Sequence, residues 1–255
     1  MDKFLLSAKF VIGSLLAFLS LAAWVVAAYY SSTMGVMNAN SQMSGMNMSL
    51  SPLQVLLFLF IWVVMMVAMM LPSTTPMITS YIGLSQQRNS VYSRTLNFAL
   101  GYFTIWAGFG MLAYMASMFF SSLVMDFPML QSYDKLFASL VLVSAGAYQL
   151  SSLKYTCLSH CRTPMGFLLH HWHEGKFGAL RMGISHGIYC VGCCWVLMVL
   201  LFTIGLMNLA LMALLALFIF IEKVSSHGLL IGKIVGFMLI AAGILTYGLF
   251  TIFPL

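Results

Sequence analysis

Charged residues are scarce in this sequence, and acidic ones are the scarcest. Asp, Glu, Lys and Arg make up 6% of the chain, and only five residues are acidic. A soluble globular domain carries about 25% charged residues, so that class is excluded. With few carboxylates, no Ser-His-Asp arrangement and no phosphate-cradling loop, hydrolytic, phosphoryl-transfer and ATP-driven functions are not supported. Cysteine is also rare, and its odd number, five, argues against a purely structural disulfide framework.

Long apolar runs are what the sequence has in abundance, with 62% hydrophobic residues and a mean hydropathy of +1.01. Runs of roughly 20 residues can each cross a hydrocarbon core about 30 Å thick as a helix. The first run is too long for the core of a signal peptide and is expected to stay as an anchor. Pro72 and Pro76 are expected to end or kink the second helix. We predict an all-α polytopic transmembrane bundle of about seven helices, near residues 10–30, 53–72, 96–119, 136–154, 182–205, 209–221 and 231–252.

Basic residues set the orientation of this bundle. Lys135 alone falls on one side of the membrane, and the other side has Lys3, Lys9, Arg88, Arg94, Lys154, Arg162, Lys176, Arg181, Lys223 and Lys233. The positive-inside rule then places the amino terminus in the cytoplasm and the carboxyl terminus outside. These residues are scattered between apolar segments, so the net charge of +6 indicates topology. The lipid bilayer is the expected partner, and no nucleic acid is expected.

The loop after the first helix is rich in methionine. It is uncharged, has little to pack against, and contains Met34, Met37, Met43, Met46 and Met48. Thioethers are soft ligands that select Cu(I), so these residues are candidate copper ligands on the extracytoplasmic side. The alternative is a linker that happens to be methionine-rich. Residues 1–51 thus form an anchor with its loop, and residues 52–255 form a six-helix domain.

The fifth predicted helix contains "HGIYCVGCC". On a helix of about 3.6 residues per turn, His186, Cys190 and Cys193 fall within a narrow arc, and Cys194 lies at its shoulder. The alternative is that these small residues only pack closely beside the nearby glycines. Three thiols and an imidazole inside a membrane span favour a functional site. The arc suggests two thiolate ligands, and it leaves the role of Cys194 open.

A second cysteine pair occurs in "CLSHC". If the fourth helix continues past Lys154, Cys157 and Cys161 share one face, with His160 beside them. This spacing suits two soft-metal ligands, but it also fits two unremarkable boundary thiols. The cytoplasmic placement argues against a structural disulfide, because thiols there are kept reduced.

The second helix contains "MMVAMM", in which Met65 and Met69, and Met66 and Met70, lie one turn apart. These thioethers can bind a soft metal, and methionine is equally an ordinary filler of apolar cores.

Polar residues near the predicted cytoplasmic boundary have plainer explanations. His170, His171, His173 and Glu174 can hold a borderline metal, but Trp172 among them is typical of an interfacial anchor on a short surface helix. We interpret this segment as surface structure. Glu222 and Lys223 are interpreted as a boundary ion pair.

The donor types favour Cu(I) over zinc. Four thiolates around a divalent ion keep a net negative charge, which is costly inside a membrane. Two thiolates on Cu(I) leave one negative charge, and thioethers add none. Zinc suits the shallower level of Cys157, Cys161 and His186, where water can contribute.

Three blocks of the sequence resemble an uncharacterised bacterial and archaeal family described as predicted metal-binding integral membrane proteins. The blocks are Trp62 to Pro72, Leu153 to Pro164 and Arg181 to Trp195. The resemblance implies a multi-pass protein of the cell membrane. It also implies one family-defining residue set: Met66, Met69, Met70, Cys157, Cys161, His186, Cys190, Cys193 and Cys194.

Three functions fit these observations. The first is binding of a soft metal, most simply Cu(I), for transport, delivery or assembly of a copper centre in a partner enzyme. The second is a membrane thiol-disulfide oxidoreductase, and the third is a structural subunit of a membrane complex. No motif predicts an enzymatic reaction for the chain on its own.

Overall fold

The structure is a computed structural model that describes residues 2–40, 52–84, 91–126, 134–173, 177–204 and 208–252. Every regular element in these ranges is an α-helix, so the predicted all-α bundle is confirmed. The helices are α1 (Asp2–Asn40), α2 (Pro52–Leu84), α3 (Val91–Asp126), α4 (Asp134–Gln149), α5 (Ser152–Arg162), α6 (Pro164–His170), α7 (Gly178–Ile204), α8 (Leu209–Val224) and α9 (Gly228–Ile252).

Five of the described helices, α1, α2, α3, α7 and α9, are long and apolar enough to cross a membrane. The bent pair α4 and α5 adds a sixth span if the two helices are counted as one. At 16 residues, α8 is about 24 Å long and falls short of a full crossing. The chain is a multi-pass membrane protein.

Close helix pairs organise the bundle. Ser20 of α1 donates a hydrogen bond to the Ala68 carbonyl of α2 over 3.1 Å. A Cβ on Gly183 of α7 would lie 2.0 Å from the Phe98 carbonyl oxygen of α3, so these backbones touch. Ser139 of α4 donates to the Gly243 carbonyl of α9 over 2.7 Å. Small and hydroxyl residues at such crossings are typical of membrane helix packing.

The two prolines in α2 do not end it, contrary to one of the two outcomes expected from the sequence. Pro72 and Pro76 lie inside a helix that continues to Leu84. Because Pro72 has no N–H, the Ala68 carbonyl one turn earlier loses its helical donor. The Ser20 hydroxyl donates to this same carbonyl. A neighbouring helix thus satisfies the group that the proline leaves open, which keeps α2 intact in an apolar environment.

The fourth predicted helix does not continue past Lys154 as the cysteine spacing had assumed. It ends at Gln149, and α5 starts at Ser152 after a bend of 60°. The Ser151 side chain caps α5 by accepting from the Lys154 backbone N–H. The Tyr148 hydroxyl donates to the Gly192 carbonyl of α7, so the bend lies beside the cysteine-bearing part of that helix.

One end of the bundle carries basic residues, and the depth of the central residues can be measured from this end. Lys9 reaches Gly83 near the end of α2, and Arg94 lies in the first turn of α3. We call this the basic end. Ser73 of α2, Tyr102 of α3 and Cys190 of α7 each lie 11 or 12 residues from the basic end of their helix. At about 1.5 Å per residue, all three are roughly 16–18 Å deep.

Candidate metal centre

Three thiols of α7 form a compact group, which we call the thiol triad: Cys190, Cys193 and Cys194. Their Sγ atoms all lie within 4.8 Å of one another, and the residues are 0%, 2% and 1% exposed. The Cys193 and Cys194 thiols each donate to the Cys190 carbonyl over 3.0 Å. Three sulfurs at about 2.3 Å from one ion would be roughly 4 Å apart, so the triad fits a single soft metal. Cys194, placed at the shoulder of the arc by the sequence, belongs to the same group.

Polar side chains from two other helices contact the Cys190 sulfur, and a serine from a third helix accepts from one of them. Lys223 of α8 donates from Nζ to Cys190 Sγ over 3.0 Å and to Ser73 Oγ of α2 over 3.3 Å. The Tyr102 hydroxyl of α3 lies 3.0 Å from the same sulfur. An ammonium group this close stabilises negative charge on the sulfur, because a buried thiolate otherwise lacks solvation.

The two cysteines of α5 lie against the triad. The Cys161 thiol is buried and belongs to the same buried cluster as Cys190 and Cys193. Cys157 is half-buried, and its Sγ is 2.8 Å from the position of a Cβ on Gly192 of α7. All five cysteines are free thiols. The bend before α5 therefore brings together residues that are separated by about thirty positions in the sequence.

The methionines predicted as ligands share a buried cluster with the triad. Met65, Met66, Met69 and Met70 of α2 are at most 3% exposed and lie in the same core as Cys190. Met198 and Met212, which were not among the ligands predicted from the sequence, are also members. Met65 and Met212 line an apolar cavity of about 150 Å³ between α1, α2 and α8.

His186 lies in an aromatic enclosure and is not a member of the thiol group. Its ring stacks on Tyr102 at 5.6 Å between centroids and meets Phe167 edge-on at 5.5 Å. Among the described residues its Nδ1 has no hydrogen-bond partner, although the residue is 2% exposed. The structure thus brings His186 near Cys190 without directing it into the triad.

The side chains of the amino-terminal methionines lie outside the described part of the chain. Met34 and Met37 belong to the last part of α1, but their side chains lie outside the described part of the chain. Met43, Met46 and Met48 lie outside the described residues altogether.

The expectation that Glu222 and Lys223 form a boundary ion pair with each other is wrong. Glu222 forms its ion pair with Lys154 of α5, and Gln149 accepts from the same Lys154 ammonium. Lys223 instead faces Cys190. Consecutive helical residues point in directions about 100° apart, so Glu222 contacts α5 and Lys223 contacts α7. The sequence did contain an indication of this role, because two charged residues stand at the end of an apolar run. Charged residues in membrane helices are mostly found at functional or ion-paired positions.

Lys154 and Lys223, which the orientation argument counted among the basic residues between the membrane spans, lie inside the bundle. Lys154 is 2% exposed and Lys223 is 6% exposed. Both ammonium groups are used inside the bundle. The remaining basic residues still favour the same orientation, because Lys9, Arg94 and Arg181 gather at one end.

Comparison with known proteins identifies the family. The family model described as PpoB2, copper chaperone, matches residues 59–246. The chain belongs to this family. No curated protein and no solved structure matches it. The matched region contains all five cysteines and the methionines of α2, and the family description names copper where the sequence resemblance names only a metal.

Proposed function

We propose that the protein is a membrane copper chaperone that holds Cu(I) on the thiol triad and passes it to a copper-requiring partner. The observation that carries the proposal is the triad itself, three buried thiols whose sulfur atoms lie within 4.8 Å of one another. Membership of a copper chaperone family supports the choice of metal.

Charge and ligand number both favour Cu(I) at this position. Two thiolates on Cu(I) carry one net negative charge, which the Lys223 ammonium beside Cys190 offsets. A structural zinc site needs four ligands. Among the described residues the compact group offers three, and His186 is outside it. Cu(I) needs only two or three soft donors, so the triad suffices.

A route for the metal follows from the exposure of the thiols. Cys157 is half-buried, Cys161 is buried against the triad, and the triad is almost fully enclosed. Copper can move between such sites by exchanging one sulfur ligand at a time, so that it is never without a donor. We propose that α5 carries the exchange ligands, that the buried methionines of α2 extend the soft lining, and that the protein works in the cell membrane.

Metal content tests this function. Protein purified after copper supplementation is expected to hold about one tightly bound Cu(I), with sulfur as its ligand in X-ray absorption spectra. Cys190→Ser and Cys193→Ser should each lose most of this copper. Cys157→Ser, the same change outside the triad, is the matched control and should retain it while loading more slowly.

Two other results would redirect the interpretation. Copper-free wild-type protein whose thiols titrate as fewer than five before reduction would support the thiol-disulfide oxidoreductase. Copper-free protein with five free thiols, isolated in a stable membrane complex, would support a structural subunit. Either result would overturn the chaperone proposal.

A further inference from the structure

Three histidines on the basic side of the triad share one hydrogen-bond pattern. The Nδ1 atoms of His160, His171 and His173 lie 2.9, 3.2 and 2.9 Å from the backbone carbonyls of Thr156, Phe167 and His171. A carbonyl oxygen can only accept, so each Nδ1 carries the proton and each Nε2 keeps a free lone pair. Metal-binding histidines show this arrangement, because the donated N–H fixes the tautomer and the ring orientation.

Two of these rings, those of His160 and His171, have a separation that is compatible with a shared ion. The centroids of His160 and His171 are 6.0 Å apart, with an angle of 77° between the planes. Two imidazoles bound to one metal at about 2.0–2.1 Å have their centroids roughly 5–6 Å apart. Both residues are half-buried, so solvent can complete the coordination. His173 is exposed and has no ring contact with the pair in the described part of the chain.

Aromatic side chains hold both rings in place. His160 stacks on Tyr189 with 4.2 Å between centroids and 1° between planes. His171 stacks on Phe167 with 4.6 Å and 13°. Rings fixed by packing lose little conformational entropy when they bind a metal, which favours a built site over two independent surface histidines.

One member of the pair, His160, lies beside the thiols of both cysteine-bearing helices. His160 precedes Cys161 in α5, and Tyr189, on which it stacks, precedes Cys190 in α7. A metal held by the pair would therefore lie close to Cys161 of α5 and to Cys190 of α7.

We propose that His160 and His171 form a second metal site, in which their Nε2 atoms bind copper at the basic-end approach to the triad. Only the identity of the metal depends on the proposed function. Neutral imidazoles hold Cu(I) less strongly than thiolates do, so the pair is an exchange site from which copper moves inward.

Stepwise loading of the full-length protein in detergent tests this site. Cu(I) is supplied anaerobically as its acetonitrile complex, against a competing chelator. The wild type is expected to bind one sulfur-coordinated equivalent and then a weaker equivalent whose X-ray absorption shows imidazole nitrogen. His160→Asn and His171→Asn should each weaken the second equivalent at least tenfold, because asparagine can still donate to the carbonyl but has no Nε2. His227→Asn, at an exposed histidine near the turn after α8, should bind both equivalents like the wild type.

A wild-type protein that binds only the sulfur-coordinated equivalent would overturn the proposal. So would retention of the second equivalent in both His160→Asn and His171→Asn. Failure of the chaperone proposal has a different signature, since the sulfur-coordinated equivalent would then be missing while the nitrogen-coordinated one is present and sensitive to the two histidine substitutions.

Discussion

Lys223 is the residue that most changes the interpretation of the site. Its ammonium lies inside the bundle, hydrogen-bonded to Cys190 Sγ and Ser73 Oγ. A buried cation needs an anionic or dipolar partner, and a thiolate of the proposed copper site would supply one. In the proposed function, Lys223 therefore couples the charge of the metal site to the stability of the bundle.

Lys223→Met should weaken Cu(I) binding by about tenfold to a hundredfold, because a hydrogen bond to a charged group contributes about 1.5–3 kcal/mol. Competition with a chromophoric Cu(I) chelator measures the change. Lys233→Met is the matched control, since Lys233 is an exposed lysine of α9. Equal affinities in the two variants would show that Lys223 does not stabilise the bound metal.

At the scale of elements, the contact between α3 and α7 positions the triad. Gly183 and Gly101 allow backbone contact along this pair, and Tyr102, which faces Cys190, follows Gly101 directly. A side chain at the crossing would separate the helices and move the Tyr102 hydroxyl away from the sulfur.

Gly183→Ala should destabilise the protein by roughly 1–3 kcal/mol, because the new Cβ would overlap the Phe98 carbonyl. Thermal unfolding in detergent, followed by tryptophan fluorescence, measures this. Gly108→Ala is the control, since a Cβ there meets nothing within 4 Å. It should unfold at the wild-type temperature or slightly above it, as alanine favours helix. Equal unfolding temperatures for the two variants would contradict the close packing of α3 on α7.

The elements were predictable to different degrees, and for physical reasons. Hydropathy identifies long helices such as α2 and α7, because the hydrocarbon core imposes their length and composition. The bend between α4 and α5 has no proline or glycine to mark it. Tertiary contacts stabilise it, among them the Lys154–Glu222 ion pair and the Tyr148 hydrogen bond to α7. Sequence patterns within one helix do not contain that information.

In the site, too, some features follow from local sequence patterns and others depend on tertiary contacts. The grouping of Cys190 with Cys193 follows from helical periodicity alone, since both lie on one helix. The approach of Cys161 to them depends on the bend, and the role of Lys223 depends on which neighbour α8 faces.

At the scale of the whole molecule, the basic end predicts orientation. If it faces the cytoplasm, the carboxyl terminus after α9 is outside. Alkaline phosphatase fused after Leu255 should be active, and green fluorescent protein at the same position should be dark, because each folds on only one side of the membrane. The opposite pair of results would reverse the orientation and place the proposed histidine site outside the cell.

The Lys154–Glu222 pair has a consequence for biosynthesis. The partners are 68 residues apart in the chain. At a synthesis rate of about 5–20 residues per second, Glu222 of α8 is made roughly 3–14 s after Lys154 of α5. During that interval an unpaired lysine in the membrane costs about 2.5–3.5 kcal/mol by insertion scales. We therefore expect α5 to lie at the membrane surface when first synthesised, and to enter the bundle only after α8 arrives. The two cysteines of α5 would then reach the triad late, so that a ribosome-bound chain ending before Glu222 has the three thiols of α7 without Cys157 and Cys161 packed against them.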